Sequence, residues 1–348
     1  MKTIDPQSIP HPDLHQILVS AVAPRPIAFV SSIDEEGKPN LAPYSFFNVF
    51  SSNPPILVFS SNRKGTTNAV KDTLHNVEAV REVVVNVVPY SIVWQMAVAS
   101  IEYPKGVDEF VKSGLTPLAS DLVRPFRVKE SPVQMECKVL QIMPLGDKGG
   151  AGNLVICEIL RIHIDENVLD SNGKIDPHRI DLMGRMGRAF YARASGEAVY
   201  TISQPFLPQG IGYDQLPESA RHSNVLTGNE LGQLAGRPEI PSAETLEELR
   251  QEKRIQDILS TKNPVERLHQ EARLELEKNQ AERALRLVWL AAQTTDYPGD
   301  PKSISVLSPI FRLCRIPVME ASLPTTDFCR MTSLMEAKFP RIESFTME

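Results

Sequence analysis

Between Pro24 and Val88 the chain sets three short apolar runs, residues 27–33, 56–60 and 83–88, between Pro, Asn and Gly. Runs of this length, rich in Val, Ile and Phe, are strands. Residues 34–38, DEEGK, read as a hairpin-type loop in which Gly37 can take a positive φ. The loop after the second run is of another kind. Residues 60–67, SSNRKGTT, hold four hydroxyls, two fixed cations and a glycine, directly before a helix expected to begin at Asp72 or Thr73. Arg63 and Lys64 supply charge-assisted donors, Ser60 and Thr66 supply hydroxyls, and Gly65 lets backbone N–H groups turn toward a ligand. The helix start would bring free N–H groups nearby. That composition suits an anion, and a solvated turn is the alternative. No GxxxxGK[ST] loop is present, and no GxGxxG follows a strand, so neither common nucleotide fingerprint applies.

Residues 40–48, NLAPYSFFN, place Tyr44, Phe46 and Phe47 beside Ser45 and Asn48. Adjacent residues of a strand point to opposite faces, so Phe46 and Phe47 cannot fill one core. Either the strand has a core on each side, or one ring meets another layer, a partner chain or a planar ligand. Upstream, Pro24 and Pro26 hold Arg25 extended, where it reaches a phosphate or a cofactor edge, or simply lies on the surface.

Composition excludes several classes. Among 348 residues 42% are hydrophobic and 23% charged, and the net charge is −6; nothing recommends a nucleic-acid partner. The N-terminus has no apolar core of signal-peptide length and no run approaches a membrane span, so no membrane partner and a cytoplasmic location are expected. Cys137, Cys157, Cys314 and Cys329 form no CxxC pair, and the seven His form no HxH or HExxH arrangement. No metal site is expected, and the strand cysteines read as small hydrophobes.

The order PRPIAFVSS, a charged Gly-containing turn, PNLAPYSFFN, NPPILVFS, SNRKGTTNAVKDTLHNVEA and VVNVV resembles the flavin reductase-like, FMN-binding split-barrel family. DEFVKSGLTPL, ESPVQMECKVLQI and VLDSNGKIDPHRIDLMGRMGRAFYAR extend the resemblance over roughly the first 200 residues. It implies a mainly β fold with helical insertions: a six-stranded Greek-key split barrel, usually a homodimer, binding FMN non-covalently near the dimer interface. It implies cofactor contacts from Arg25, Tyr44, Ser45, Phe46, Asn48, Ser60, Arg63, Lys64, Thr66, Asp72 and Thr73, with Arg63 and Lys64 on the phosphate. The implied activity is that of an NAD(P)H:flavin oxidoreductase, with NADH or NADPH passing hydride to flavin N5. Such chemistry needs orientation of the ring more than side-chain acids or bases, so no catalytic residue is expected. A partner oxygenase using the reduced flavin fits the same resemblance. The alternatives are an electron carrier without its own nicotinamide site and a pyridoxamine phosphate oxidase-like oxidase. Gly184 and Gly187 would let the chain approach the flavin, but the family tends to a further Gly where this chain has Arg188.

The remaining elements follow from periodicity. Helices are expected over residues 11–23, 91–100 and from Asp108 to before Gly114, and long strands over 133–144 and 153–164, joined by a glycine-rich segment. Leu154, Ile156, Leu160 and Ile162 should share one face of the last strand. The expected domains are a barrel over 1–206, a Pro- and Gly-rich linker over 207–242, and a helical hairpin with an irregular tail over 243–348. In the hairpin, one helix spans 242–260 and another starts at Asn263-Pro264 and runs to 292.

Overall fold

The computed structural model of the protein describes residues 1–202 and 209–294. The chain divides into two compact units, Met1–Ser203 and Gln204–Glu348.

The first unit begins with helix α1 (His11–Ala21) and strands β1 (Ala28–Ile33), β2 (Pro39–Tyr44), β3 (Phe47–Ser52) and β4 (Pro55–Ser60). Helix α2 (Asp72–Ala79), strand β5 (Glu82–Asn86), helices α3 (Val93–Ala99) and α4 (Glu109–Ser113), and short strands β6 (Pro117–Leu118) and β7 (Arg127–Val128) follow. Long strands β8 (Val133–Pro144) and β9 (Asn153–Ile164), helix α5 (Pro177–Ile180), and the hairpin of β10 (Leu182–Arg185) and β11 (Tyr191–Ala194) complete it. Helix α4 illustrates the local logic. Asp108 accepts a hydrogen bond from the Phe110 N–H at 2.8 Å to start it, and Gly114 at φ +66° ends it, the cap and stop that these residue types favour.

Seven strands pair antiparallel in the order β2-β1-β5-β8-β9-β4-β3. The two edge strands, β2 and β3, are consecutive in sequence, separated only by Ser45 and Phe46. A flat sheet of seven strands would be about 29 Å wide, whereas so short a link spans at most about 11 Å. The sheet therefore curls until its edges meet at the Ser45–Phe46 corner: a split barrel. The resemblance implies six strands; the corner divides one bent segment into β2 and β3 and makes seven. Ala28 and Val30 of β1 point into the barrel with Leu57, Phe59, Val85, Cys137 and Cys157. Ile27 and Phe29 point outward into a second cluster with Met96 of α3 and Phe110 of α4. β1 is buried along its whole length because both faces are covered. Full burial of Phe29 alone contributes about 2–3 kcal/mol.

The long hairpin corrects one expectation. Bulges skip Leu140 in β8 and Leu160 in β9, and both residues are exposed. A bulge reverses the inside–outside alternation, so Leu160 and Ile162 do not continue one face with Leu154 and Ile156.

The second unit packs helices α6 (Glu218–Arg221), α7 (Gly228–Ala235), α8 (Ala243–Gln251), α9 (Lys253–Leu259), α10 (Pro264–Glu277) and α11 (Ala281–Gln293) around one core. The stretch 207–242, expected as a linker, is not one where it is described. Leu216, Leu226, Leu231 and Leu234 are buried in this core, and Thr227 and Glu230 close a capping box on α7. Both long helices expected here are interrupted. Glu252 leaves helical geometry between α8 and α9 and pairs with Arg283, and Asn279 at φ +60° separates α10 from α11. Pro264 does stand at the first turn of α10, but Asn263 makes no side-chain cap. The irregular tail expected from Asp296 onward, with Cys314 and Cys329, lies outside the described residues. Among the described residues no helix is long and apolar enough to cross a membrane.

Candidate functional site

The corner where the barrel closes is also where it is hollow. A cavity of about 270 Å³ is walled by His15, Gln16 and Val19 of α1, by Pro43 to Phe46, by Ser60 and Asn62 after β4, by Lys71, and by Arg185, Met186 and Arg188. No carboxylate lines it. A second cavity of about 340 Å³ adjoins it, shares Pro43, Tyr44 and Lys71, and is bordered by Lys64, Asp72, Thr73, Glu102 and Glu109.

Arg25 holds the first cavity together. Its Nη1 donates to the carbonyls of Val19 and Val22, its Nη2 to Met186 O at 3.2 Å, and its Nε to Ser45 Oγ at 3.4 Å. Four of the five guanidinium N–H groups are thereby committed to tying the end of α1 and the turn after β10 to the corner. Its charge also lies 5.9 Å from the Phe46 ring centroid. Phe46 faces the cavity and meets His15 edge-on at 6.2 Å, while Phe47 packs on the barrel core. The aromatic pair thus divides between site and core. Tyr44 is buried against Phe59, and burial pushes its hydroxyl up to about 12 against the hydrogen-bonding pull of Thr73 and Ser61. It is a neutral phenol at ordinary pH.

Other expected residues are placed differently. Ser45, Ser60 and Phe46 line the first cavity; Lys64, Asp72 and Thr73 line the second. Thr73 accepts from Asn40 Nδ2 at 2.8 Å, and Lys64 is paired with Glu102 at 3.0 Å. Arg63, Thr66 and Asn48 border neither cavity. Arg63 donates to Asn68 O, and Asn48 sits on exposed β3, accepting from the Val49 N–H. The reason lies in the backbone. Ser61 N donates to Asn153 O, Arg63 N to Ala151 O and Gly150 N to Arg63 O, so the loop after β4 continues as a pairing partner of the glycine-rich segment. The N–H groups of Ser61, Arg63 and Lys64 are thereby occupied, the last by Ala69 O, and Gly65 does not take a positive φ. Trp94 is 80% exposed and borders neither cavity.

Lys71 lines both cavities. Its ammonium lies 5.1 Å from the Tyr44 ring centroid, and burial lowers its pKa, with Glu102 opposing and Lys64 adding to the effect. His15 and Gln16 were not legible, because only tertiary folding brings α1 to the corner. Burial, then His11 and Arg25, depress the His15 pKa, leaving it neutral near pH 7. Gly187 gives room to α1, and Gly184 to the segment that follows it. A Cβ on Gly187 would lie 2.9 Å from Ser20 Cβ, and one on Gly184 would lie 2.9 Å from Pro24 Cβ.

Away from the corner, Asp121, Glu136 and His163 gather their ligand-type atoms within 4.8 Å. These oxygens are already in use. Glu136 accepts N–H groups from Asp121, Leu122 and Val123 and lies 2.6 Å from His163 Nε2, and Asp121 pairs with Arg161 at 2.7 Å. The cluster fastens the 119–124 loop to β8.

The flavin reductase like domain profile matches residues 20–179. An uncharacterized protein of Aquifex aeolicus is 38% identical over 185 residues, covering 53% of this chain and 91% of the relative. Among solved structures, nitrilotriacetate monooxygenase component B from Bacillus cereus is 31% identical with a TM-score of 0.53, covering 57% of this chain and 97% of its own. The 2-nitrobenzoate 2-nitroreductase of Pseudomonas fluorescens is 27% identical with a TM-score of 0.52, covering 60% and 99%. With that profile running through the closed sheet and its corner, and with relatives matched over nearly their full length, the chain belongs to the flavin reductase like family.

Proposed function

We propose that the first unit is an FMN-dependent NAD(P)H:flavin oxidoreductase that works as a homodimer in the cytoplasm and delivers reduced flavin to a partner oxygenase. The observation that carries this reading is the corner cavity, free of carboxylates, cationic on two sides, and walled by Phe46 and Tyr44. A phosphate needs cations and hydroxyls, and a flavin ring needs a flat apolar wall with polar groups at its rim; the lining offers both. Lys71, Ser60 and Asn62 would hold the phosphate, and Pro43 and Phe46 the ring. Bound there, FMN would supply the ring nitrogen that accepts hydride from a reduced nicotinamide. The chain's own contribution is positional. Arg25 keeps α1 against the corner, and neutral His15 and neutral Tyr44 add polar contacts without adding charge. The similarity to a monooxygenase component supports the partner oxygenase.

The dimer rests on apolar surface. Phe50 and Val49 of edge strand β3 are 69% and 53% exposed, and Leu160 and Ile162 of β9 are exposed as well; a second copy would cover them. Anaerobic mixing of FMN-reconstituted protein with NADH, NADPH or a chemical reductant tests the activity through bleaching of the flavin band near about 450 nm. Bleaching by a nicotinamide is expected. Bleaching by the chemical reductant alone would indicate the electron carrier, and failure to take up FMN at micromolar concentration would refute the site. Sedimentation of the full chain and of Phe50→Asp tests the dimer; a monomeric wild type refutes it.

A further inference from the structure

The corner cavity carries more positive charge than one phosphate uses. Lys71, with Ser60 and Asn62, lies on the α2 side; Arg185 and Arg188 stand on the β10–β11 side. Neither arginine has a carboxylate partner among the described residues. The Arg185 guanidinium lies 4.5 Å from the Tyr191 ring centroid, and Arg188 is exposed without a side-chain hydrogen bond. Their neighbour in the hairpin behaves differently: Arg193 pairs with Asp181 at 2.6 Å. Arg188 also holds φ at +54°, a conformation that glycine adopts freely and a branched or long side chain rarely does. A left-handed turn position thus places an arginine on the cavity wall. Arg185 is close enough to Arg25 for the two charges to repel. An anion between such groups would relieve that repulsion.

We propose that Arg185 and Arg188 form a second anion subsite, distinct from the FMN phosphate site, that takes a phosphate group of the dinucleotide reductant as it docks against the flavin. The subsite rests on the flavin reading above. The phosphate could come from the pyrophosphate bridge, common to NADH and NADPH, or from the 2′-phosphate of NADPH. Planar guanidinium pairs suit either through bidentate contacts.

The test uses full-length, FMN-loaded protein and the oxidised dinucleotides, which bind without turnover. Calorimetric titration of NADP+ and NAD+ into wild type, R188G and R185Q reads affinity directly. Glycine suits the left-handed backbone, so R188G preserves the turn. Loss of a charge-assisted contact should weaken binding about tenfold or more, with FMN affinity unchanged within about twofold. Weakening of NADP+ alone assigns the 2′-phosphate, and equal weakening of both assigns the pyrophosphate; either supports the subsite. Inorganic pyrophosphate should compete in the wild type and lose that ability in R188G. Unchanged dinucleotide affinity in both variants overturns the subsite. So does an equal loss of FMN affinity, which would assign these arginines to the FMN phosphate. A wild type that binds pyrophosphate through Arg188 but no FMN would refute the flavin reading and leave the anion subsite standing.

Discussion

Replacing Lys71 by methionine keeps the length of the stem and removes the charge. Lys71 borders both cavities, lies 5.1 Å from the Tyr44 ring centroid, and has no ion pair among the described residues. Its depressed pKa, caused first by burial, shows that the charged form is not comfortable in the ligand-free fold. Two effects of opposite sign follow. With a phosphate about 4 Å away, an effective dielectric of about 20 gives roughly 4 kcal/mol of attraction. Residual desolvation and screening offset part of it, leaving about 1.5–3 kcal/mol, or roughly 10- to 150-fold in FMN affinity. Without ligand, the substitution removes a partly desolvated cation and should raise the melting temperature. The pH dependence has a definite sign. A folded pKa below the unfolded value means that stability from this group rises as pH climbs through the window just under 10.5, and methionine abolishes that rise. Fluorescence titration with FMN and riboflavin at low and high salt is the assay. FMN should weaken, riboflavin should not, and the gap should narrow with salt. Equal weakening of both ligands, or of neither, would refute the placement of the phosphate beside Lys71.

Three further outcomes are expected. Gly187→Ala puts a methyl group 2.9 Å from Ser20 Cβ and should lift α1 from the corner, costing about 1–3 kcal/mol of stability and weakening FMN, both measurable by combined thermal melts and flavin titration. For Glu136, burial raises the carboxyl pKa, but hydrogen bonds from the Asp121 N–H, His163 and the Leu122 N–H outweigh it and hold the value below 4.5; its stabilisation is present above that pH and lost as pH falls through the folded value. Glu136→Ala should cost about 3–5 kcal/mol in denaturant melts at neutral pH, with a smaller penalty in acid. In the second unit, His269 is 2% exposed with Nε2 unpartnered, and burial lowers its pKa to about 4. Stability should fall as pH drops from 6.5 toward 4, by up to about 3 kcal/mol, and His269→Leu should remove that acid sensitivity in a pH series of melts.

Much of the fold was legible because its signals are local. The bounds of β8 and β9, the start of α2 at Asp72 and the stop of α4 at Gly114 each follow from a run of β-branched residues, a helix-start pattern or a glycine. The motif order carried the family. The bulges at Leu140 and Leu160 were not legible, since a bulge is a relation between two strands and neither strand alone marks it. Nor was the packing of 207–242, where Pro and Gly mark turns equally in a linker and in a compact helical unit.

The site divides along the same line. By itself the sequence determined that a strand ends in hydroxyls and cations before a helix and that two adjacent aromatic residues must face different surroundings, while its resemblance to a family implied the Greek-key barrel around them. Which cation meets the cavity was decided only by tertiary structure. Pairing of residues 61–63 with the glycine-rich segment turns Arg63 away, Glu102 engages Lys64, and the closing of the sheet at Ser45–Phe46 brings Lys71, α1 and Arg185 to one point. The physical reason is that a side chain's partners are set by long-range strand pairing and barrel closure, which join residues more than a hundred positions apart and leave no mark in the local sequence of either.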